Sequence, residues 1–399
     1  MKTSMRWKES IIGDHIELAY GDGLPERDRK GGKYPVYGSN GVVGSHDRAL
    51  VRGPGIIIGR KGTVGQVTLS KSDFWPIDTT YYVKLKEDGD IFFWFYLLQT
   101  LGLSQMNSHS AVPGLNRDNV YSILKQIPPP TEQRAIAKIL SDLDEKIEFN
   151  NQMNKTLEMI GHAVFKQWFV DFEFPDRNGK PYKSSGGKKI DSELGEIPEG
   201  WAVKEISDCG EVVCGKTPPT ADKDNYGDDI FFITIPDMRG QAFVIKTERR
   251  LSKKGATTQK KKELPSLAIC VSCIATPGLV SLTSGLSHTN QQINSIVCNK
   301  DTSPFFMYYK MLDKSEEIKS MGLGGTATLN LNTGNFARIK VVVPEKAIMD
   351  SFHKTVMPFM ERILSNSIEN DGLCSIRDSL LPRLMSGQIR IGNPHEGRF

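Results

Sequence analysis

No run of this 399-residue chain approaches the roughly 18 consecutive apolar residues that a membrane-spanning helix needs. The start, MKTSMRWKES, has no apolar stretch of the secretory type, so a cytoplasmic protein with no membrane partner is expected. Six cysteines (209, 214, 270, 273, 298, 374) are too few for a disulfide framework. Cys270 and Cys273 lie in the strand-like run AICVSCIA, where residues three apart face opposite sides, so no metal site is expected there. Seven scattered histidines offer no metal cluster, and no G-x-S-x-G nucleophile motif occurs. No catalytic residue is therefore assigned. The net charge of +4 is too mild to demand a nucleic-acid partner.

One motif argues the other way. GEVVCGKT, residues 210–217, satisfies G-x-x-x-x-G-K-[ST], the phosphate-binding loop. Such a loop passes its lysine straight into a helix, but Lys216-Thr217 runs into Pro218-Pro219, which favours extended backbone. The stretch reads instead as a turn in which Lys216 and Thr217 face an external phosphate.

The chain is written twice. Trp7 to Gly21 and Trp201 to Gly215 are equal in length, with Ile12, Asp14 and Glu17 repeated as Ile206, Asp208 and Glu211, an offset of 194. Leu115-Asn116, Ile123 and Ile127-Pro128 recur as Leu331-Asn332, Ile339 and Val343-Pro344, now offset by 216. The second copy is thus about 22 residues longer in its middle. Between these anchors IGRKGTVGQVTL (58–69) and CIATPGLVSL (273–282) read as matching strand–turn–strand pieces, with Gly65 opposite Gly278.

Each copy ends in a long helical pattern. Core-type positions alternate by four and three at Ile136, Leu140, Leu143, Ile147, Asn150, Asn154, Leu157, Gly161, Val164 and Trp168. The same spacing gives Phe352, Val356, Phe359, Ile363, Asn366, Asn370, Leu373, Arg377, Leu380 and Leu384. That is a heptad seam, and each helix is the natural partner of the other. Antiparallel packing sets Asn150 against Asn370 and Asn154 against Asn366 as register-fixing pairs. Pro358 predicts an irregularity near the start of the second helix.

The expected fold is α+β: two similar globular domains separated by two long antiparallel coiled-coil helices, a pseudo-twofold internal repeat. Its segments are a first head (1–130), a central helix (131–173), a Gly/Ser/Lys linker (174–200), a second head (201–344), a C-terminal helix (345–391) and a tail (392–399). Two related heads suit a ligand with twofold backbone symmetry, and duplex DNA is one. Candidate DNA contacts in the first head are Arg60, Lys61, Thr63, Thr79, Thr80, Asn116 and Arg117. In the second they are Lys216, Thr217, Thr289, Asn290, Gln291 and Asn330, with Arg249, Arg250, Lys253 and Lys254 from a basic run spanning 246–262 as phosphate contacts.

IPPPTEQRAIAKILSDLDEKIEFN (127–150), YKSSGGKKIDSELGEIPEGW (182–201) and LLPRLMSGQIRI (380–391), together with the two-copy layout, resemble the specificity subunit of type I restriction–modification systems. The resemblance implies two target-recognition domains, each reading one half of a bipartite sequence. It implies helices that set the gap and dock two methyltransferase subunits. S-adenosylmethionine is then bound by those partners, ATP and Mg by restriction or motor subunits, and no cofactor by this chain. PEKAIMDSF (344–352) departs from the PPPTEQ of the first copy, which leaves partner contacts there open.

A stand-alone methylating or restriction enzyme is opposed by the sequence. There is no Asn/Asp-Pro-Pro-aromatic tetrapeptide, and Gly53-Pro-Gly55-Ile-Ile-Ile-Gly59 leads into a strand where a cofactor loop needs a helix. Pro175-Asp176 lacks a nuclease-type Glu-x-Lys downstream. A helical adaptor whose heads bind proteins is the remaining alternative. The target sequence, the gap length and the methylated adenines are not readable from the chain.

Overall fold

The structure, a computed structural model, describes residues 7–106, 114–323 and 331–391. It divides into two compact units, residues 1–147 with 372–399 and residues 148–371. Each unit holds one head and a stretch of both long helices.

In the first unit, β-branched and aromatic runs broken by Gly and Pro build short strands. A four-stranded antiparallel sheet runs Ile16–Tyr20, Thr80–Leu85, Gly55–Gly59, Val67–Ser70. Its Ile-Ile-Ile strand is buried along its whole length. A three-stranded sheet runs Gly41–His46, Tyr34–Gly38, Trp75–Pro76, the last pair parallel. Lys8–Ile11 pairs with Leu124–Ile127, so the chain enters and leaves the head side by side. Helix Ile91–Gln99 is capped by the Asp90 carboxylate, which accepts from the N–H groups of Phe92 and Phe93, and buries Phe93, Trp94, Leu97 and Leu98.

The second unit repeats that plan. A five-stranded sheet runs Gly210–Cys214, Ile293–Cys298, Ile269–Ser272, Val280–Thr283, Phe243–Val244. A three-stranded sheet joins Arg249–Leu251, Tyr226–Ile233 and Ser287–Thr289, again with the last pair parallel. Ala202–Glu205 pairs with Lys340–Val343 as the entrance and exit. The extra length sits in connections: where the first head turns between Gly38 and Gly41, the second inserts helix Ile235–Met238 and strand Phe243–Val244 before Arg249.

The central helix Pro130–Phe169 and the C-terminal helix Lys346–Met385 are each 40 residues long, roughly 60 Å at the α-helical rise. They pack antiparallel. In the second unit Asn150 Nδ2 donates to Asn370 Oδ1 at 2.9 Å, and Asn366 Nδ2 to Asn154 Oδ1 at 2.8 Å. In the first, Arg377 Nη1 donates to Asp144 Oδ1 at 2.7 Å, and Asp144 Oδ2 accepts from Tyr96 of the head at 2.6 Å. Every seam position is buried or half-buried. In place of the irregularity expected at Pro358, the helix continues through it. Pro358 lies on the exposed face, where water can satisfy the carbonyl that loses its N–H partner.

The linker expectation needs correction, because residues 174–200 are folded onto the second unit. Phe174 is buried and stacks on Tyr182 at 4.5 Å and on Trp201 at 4.9 Å between centroids. Lys189–Ile190 pairs with Ile197–Pro198, and Ile197 is buried. The three aromatic rings supply the burial that the Gly/Ser/Lys composition concealed.

Cys270 packs with Val213, Ile233 and Val244, whereas Cys273 packs in the other core with Phe306 and Phe336, on opposite faces of the strand. Burial pushes their thiols up to about 12 and about 11. Among the described residues no group of three or more His, Cys, Asp or Glu is placed to hold a metal.

Candidate nucleic-acid interface

The two heads share one backbone frame around their loops. Gly21 N–H donates to Thr80 O at 3.1 Å, and Gly215 N–H to Ile293 O at 3.1 Å. Asp22 donates to Pro76 O at 3.0 Å where Lys216 donates to Thr289 O at 2.9 Å. Gly65 closes its turn on Gly59 O at 2.8 Å, and Gly278 on Ser272 O at 2.9 Å, both with positive φ. Arg60 N–H bonds Thr79 O as Cys273 N–H bonds Gln292 O. Leu115 N–H bonds Arg60 O as Leu331 N–H bonds Cys273 O. Tyr20, Arg60, Asp78, Thr79 and Arg117 of one head therefore occupy the places of Cys214, Cys273, Gln291, Gln292 and Thr333 of the other. The scaffold is constant and its surface chemistry is not.

In the first head this frame gathers Arg60, Lys61, Thr79, Asn116 and Arg117. The Arg60 guanidinium carbon lies 5.1 Å and that of Arg117 4.6 Å from the ring centroid of Tyr20. Arg60 also donates through Nε and Nη2 to Asp78 O at 3.2 and 2.7 Å. Lys61 and Thr63 are exposed on the neighbouring turn. Asn116 is an N-cap whose Oδ1 accepts from Asp118 N–H at 2.8 Å, so its side chain is used by the fold. Tyr20, which is 50% exposed, was missed from sequence. Its signal was a large aromatic placed just before the repeated glycine.

In the second head, Lys216, Thr217, Asn290 and Gln291 come together. Thr217 Oγ1 donates to Gln291 Oε1 at 2.8 Å, and Asn290 Nδ2 donates to Gln292 Oε1 at 3.0 Å. The residues after Gly215 form no helix, so Lys216 and Thr217 do not open one as a phosphate loop requires. A Cβ on Gly215 would meet Asn290 O at 2.2 Å, and one on Gly21 would meet Ile77 O at 2.2 Å. Both glycines serve close backbone approach.

Two candidates are corrected. Thr80 is buried and its hydroxyl donates to Ile77 O at 2.7 Å, while Thr289 is buried on the parallel edge strand Ser287–Thr289. Neither hydroxyl is exposed to meet a base, because both residues sit on strand stretches that are covered on both faces. Asn330 lies outside the described residues.

The basic run is partly neutralised. Lys246 pairs with Asp371 at 3.0 Å, Lys254 with Asp222 and Asp224 at 3.1 Å each, and Lys260 with Glu263 at 2.7 Å. The bonds from Asp222 and Asp224 raise the Lys254 pKa. Arg250 lies over the Phe231 ring at 4.5 Å, Arg249 over Phe232 at 5.5 Å, and Lys253 is exposed. Arg249, Lys253 and Lys261 are exposed cations of this run that can meet a phosphate.

A family profile described as "Type I restriction modification DNA specificity domain" matches residues 5–159 and 198–370, one match for each head with part of the helix that follows it. The chain belongs to this family. Among its relatives is the type I restriction enzyme HindI specificity subunit of Haemophilus influenzae, 42% identical over 329 residues, or 69% of this chain and 71% of that one. The MjaIX specificity subunit of Methanocaldococcus jannaschii is 26% identical over 363 residues, 84% of this chain and 78% of the relative. The crystal structure of a type I restriction–modification S subunit from M. genitalium shares the fold, with a TM-score of 0.67 at 16% identity over 96% of this chain and 97% of that one. This specificity subunit thus carries two DNA specificity domains, one per head, on a single repeated frame. No helix among the described residues is long and apolar enough to cross a membrane.

Proposed function

We propose that this chain is the non-catalytic, sequence-reading subunit of a cytoplasmic type I restriction–modification complex. Each head reads one half of a bipartite duplex target, and the paired helices set the gap between the halves. The helices also dock two methyltransferase subunits, which bind S-adenosylmethionine and modify adenine. Restriction subunits join through the complex and use ATP and Mg. The observation that carries this reading is the shared backbone frame with exchanged side chains: Tyr20, Arg60 and Arg117 in one head stand where Cys214, Cys273 and Thr333 stand in the other. One frame presenting two different surfaces is what two related but unequal half-sites require.

Met159 and Ile376 on the two long helices are 57% and 50% exposed, single apolar positions at which a docked subunit would pack. The decisive experiment replaces residues 1–125 with the first head of a homologue of different specificity and maps methylated adenines in the host genome. One half-site changes and the other half and the gap are retained. A change in both halves would overturn the reading.

A further inference from the structure

On the matched frame, the first head carries a cation that the second lacks. Arg117 opens helix Arg117–Tyr121 behind the N-cap Asn116, and Thr333 opens helix Thr333–Ala337 behind the N-cap Asn332. Both helices are tied to their sheets by equivalent bonds, from Leu115 to Arg60 O and from Leu331 to Cys273 O. The Thr333 hydroxyl is used inside the head, donating to Asn294 Oδ1 at 2.9 Å. Arg117 instead lies over the half-exposed ring of Tyr20, beside Arg60.

Stacking of this kind orients a guanidinium without using its N–H donors. Arg60 has turned two nitrogens of its fork onto the carbonyl of Asp78. Arg117 makes one long side-chain hydrogen bond among the described residues, from Nη1 to Leu18 O at 3.4 Å. Toward the described residues its N–H donors are therefore largely unspent. Two parallel N–H donors in one plane match the O6 and N7 acceptors of guanine in the major groove; adenine presents a donor where O6 would be.

We propose that Arg117 reads a guanine in the half-site of the first head, with Tyr20 and Arg60 as positioning residues that set the plane of its guanidinium. This assignment rests on the reading that each head recognises its own half of a bipartite target. The competing use of a surface arginine is a phosphate contact, which weakens binding alike on all sequences, whereas a base contact carries information at one position.

The test uses the full chain co-expressed with its methyltransferase subunits in a host free of adenine methylation, with methylated positions mapped by single-molecule sequencing. The unsubstituted chain yields a bipartite motif; its absence would refute the two-head reading itself, whatever residue 117 does. R117T installs the residue that the second head already accommodates at the matched place, and R117K keeps the charge but removes the fork. With either variant, one guanine of one half-site becomes degenerate, its discrimination falling by roughly 10- to 100-fold. The other half-site and the gap are unchanged. Y20A relaxes the same position, because Arg117 loses its platform. An unchanged motif, relaxation at a position that is not guanine, or an equal loss of methylation at all sites while the methyltransferase subunits still co-purify would each overturn the assignment.

Discussion

Asn150 donates its side-chain amide to Asn370 Oδ1 at 2.9 Å across the seam of the two long helices, and Asn366 returns the bond to Asn154 at 2.8 Å. Asn150 and Asn366 are buried, and the flanking seam residues Leu157 and Ile363 are apolar. A buried amide pair lowers stability relative to leucine but penalises every register in which its partner is missing.

Replacing Asn150 and Asn370 together by Leu is therefore expected to leave the thermal midpoint unchanged or raise it, while the gap in the methylated motif becomes mixed. Asn150→Ala alone should cost about 1–2 kcal/mol in denaturant unfolding, because one side of the pair loses its mate. A single, unaltered gap in the double variant would show that the register is held elsewhere.

Glu132 ties the end of the chain to the first head. Its carboxylate accepts from Arg390 Nε at 2.8 Å, Arg390 Nη2 at 2.9 Å and Trp7 Nε1 at 2.9 Å. Burial acts to raise its pKa, but the bonds from Arg390, Trp7 and the Ile391 N–H outweigh it and hold the pKa below 4.5. A depressed folded-state pKa stabilises the fold above the unfolded-state value and loses that contribution as pH falls through the folded one. Unfolding free energy should thus drop more steeply below about pH 4.5 in the natural chain than in Glu132→Gln. At neutral pH the variant should be weaker by about 1–3 kcal/mol, since Arg390 is half in solvent and part of its charge remains hydrated.

Gly215→Ala and Gly21→Ala should each destabilise their own head by about 1–3 kcal/mol, since the added carbon meets backbone oxygen in both. Differential scanning calorimetry of the full chain would resolve this as a lowered transition. Lys216→Ala should leave ATP hydrolysis by the assembled complex unaltered and reduce the salt slope of DNA binding by about one unit. Loss of ATP turnover with intact DNA binding would restore the phosphate-loop reading of GEVVCGKT.

Gln291 is exposed, and Thr217 fixes its amide from one side at 2.8 Å. An oriented Gln amide pairs with the N6 and N7 edge of adenine. Gln291→Ala should relax one adenine in the second half-site, by about 1–3 kcal/mol of discrimination, and spare the first. Methylome mapping of the assembled complex reads both halves at once. Relaxation in the first half-site would contradict the assignment of heads to halves.

The α+β class, the duplicated layout and the long paired helices were legible because their signals are periodic or repeated. Ile136 to Trp168 and Phe352 to Leu384 keep one spacing over about nine turns, which chance does not sustain. The linker was misread because Phe174, Tyr182 and Trp201 are separated in sequence, and their stacking requires the chain to double back. Thr80 and Thr289 looked equivalent to Thr79 and Gln291, one or two residues away. Thr80 and Thr289, however, lie on buried strand positions, whereas Thr79 and Gln291 lie on the adjoining turns.

The sequence by itself determined the repeat, the heptad seam and the family, since each is carried by spacing along one chain. Only the tertiary structure decided which loops meet and which polar groups remain available. Tyr20 and Arg117 are brought together by the sheet pairing of Ile16–Tyr20 with Thr80–Leu85 and by the anchoring of Leu115 on Arg60. Contacts across that distance in sequence depend on strand register, and no local pattern encodes which side chain a register leaves facing the solvent.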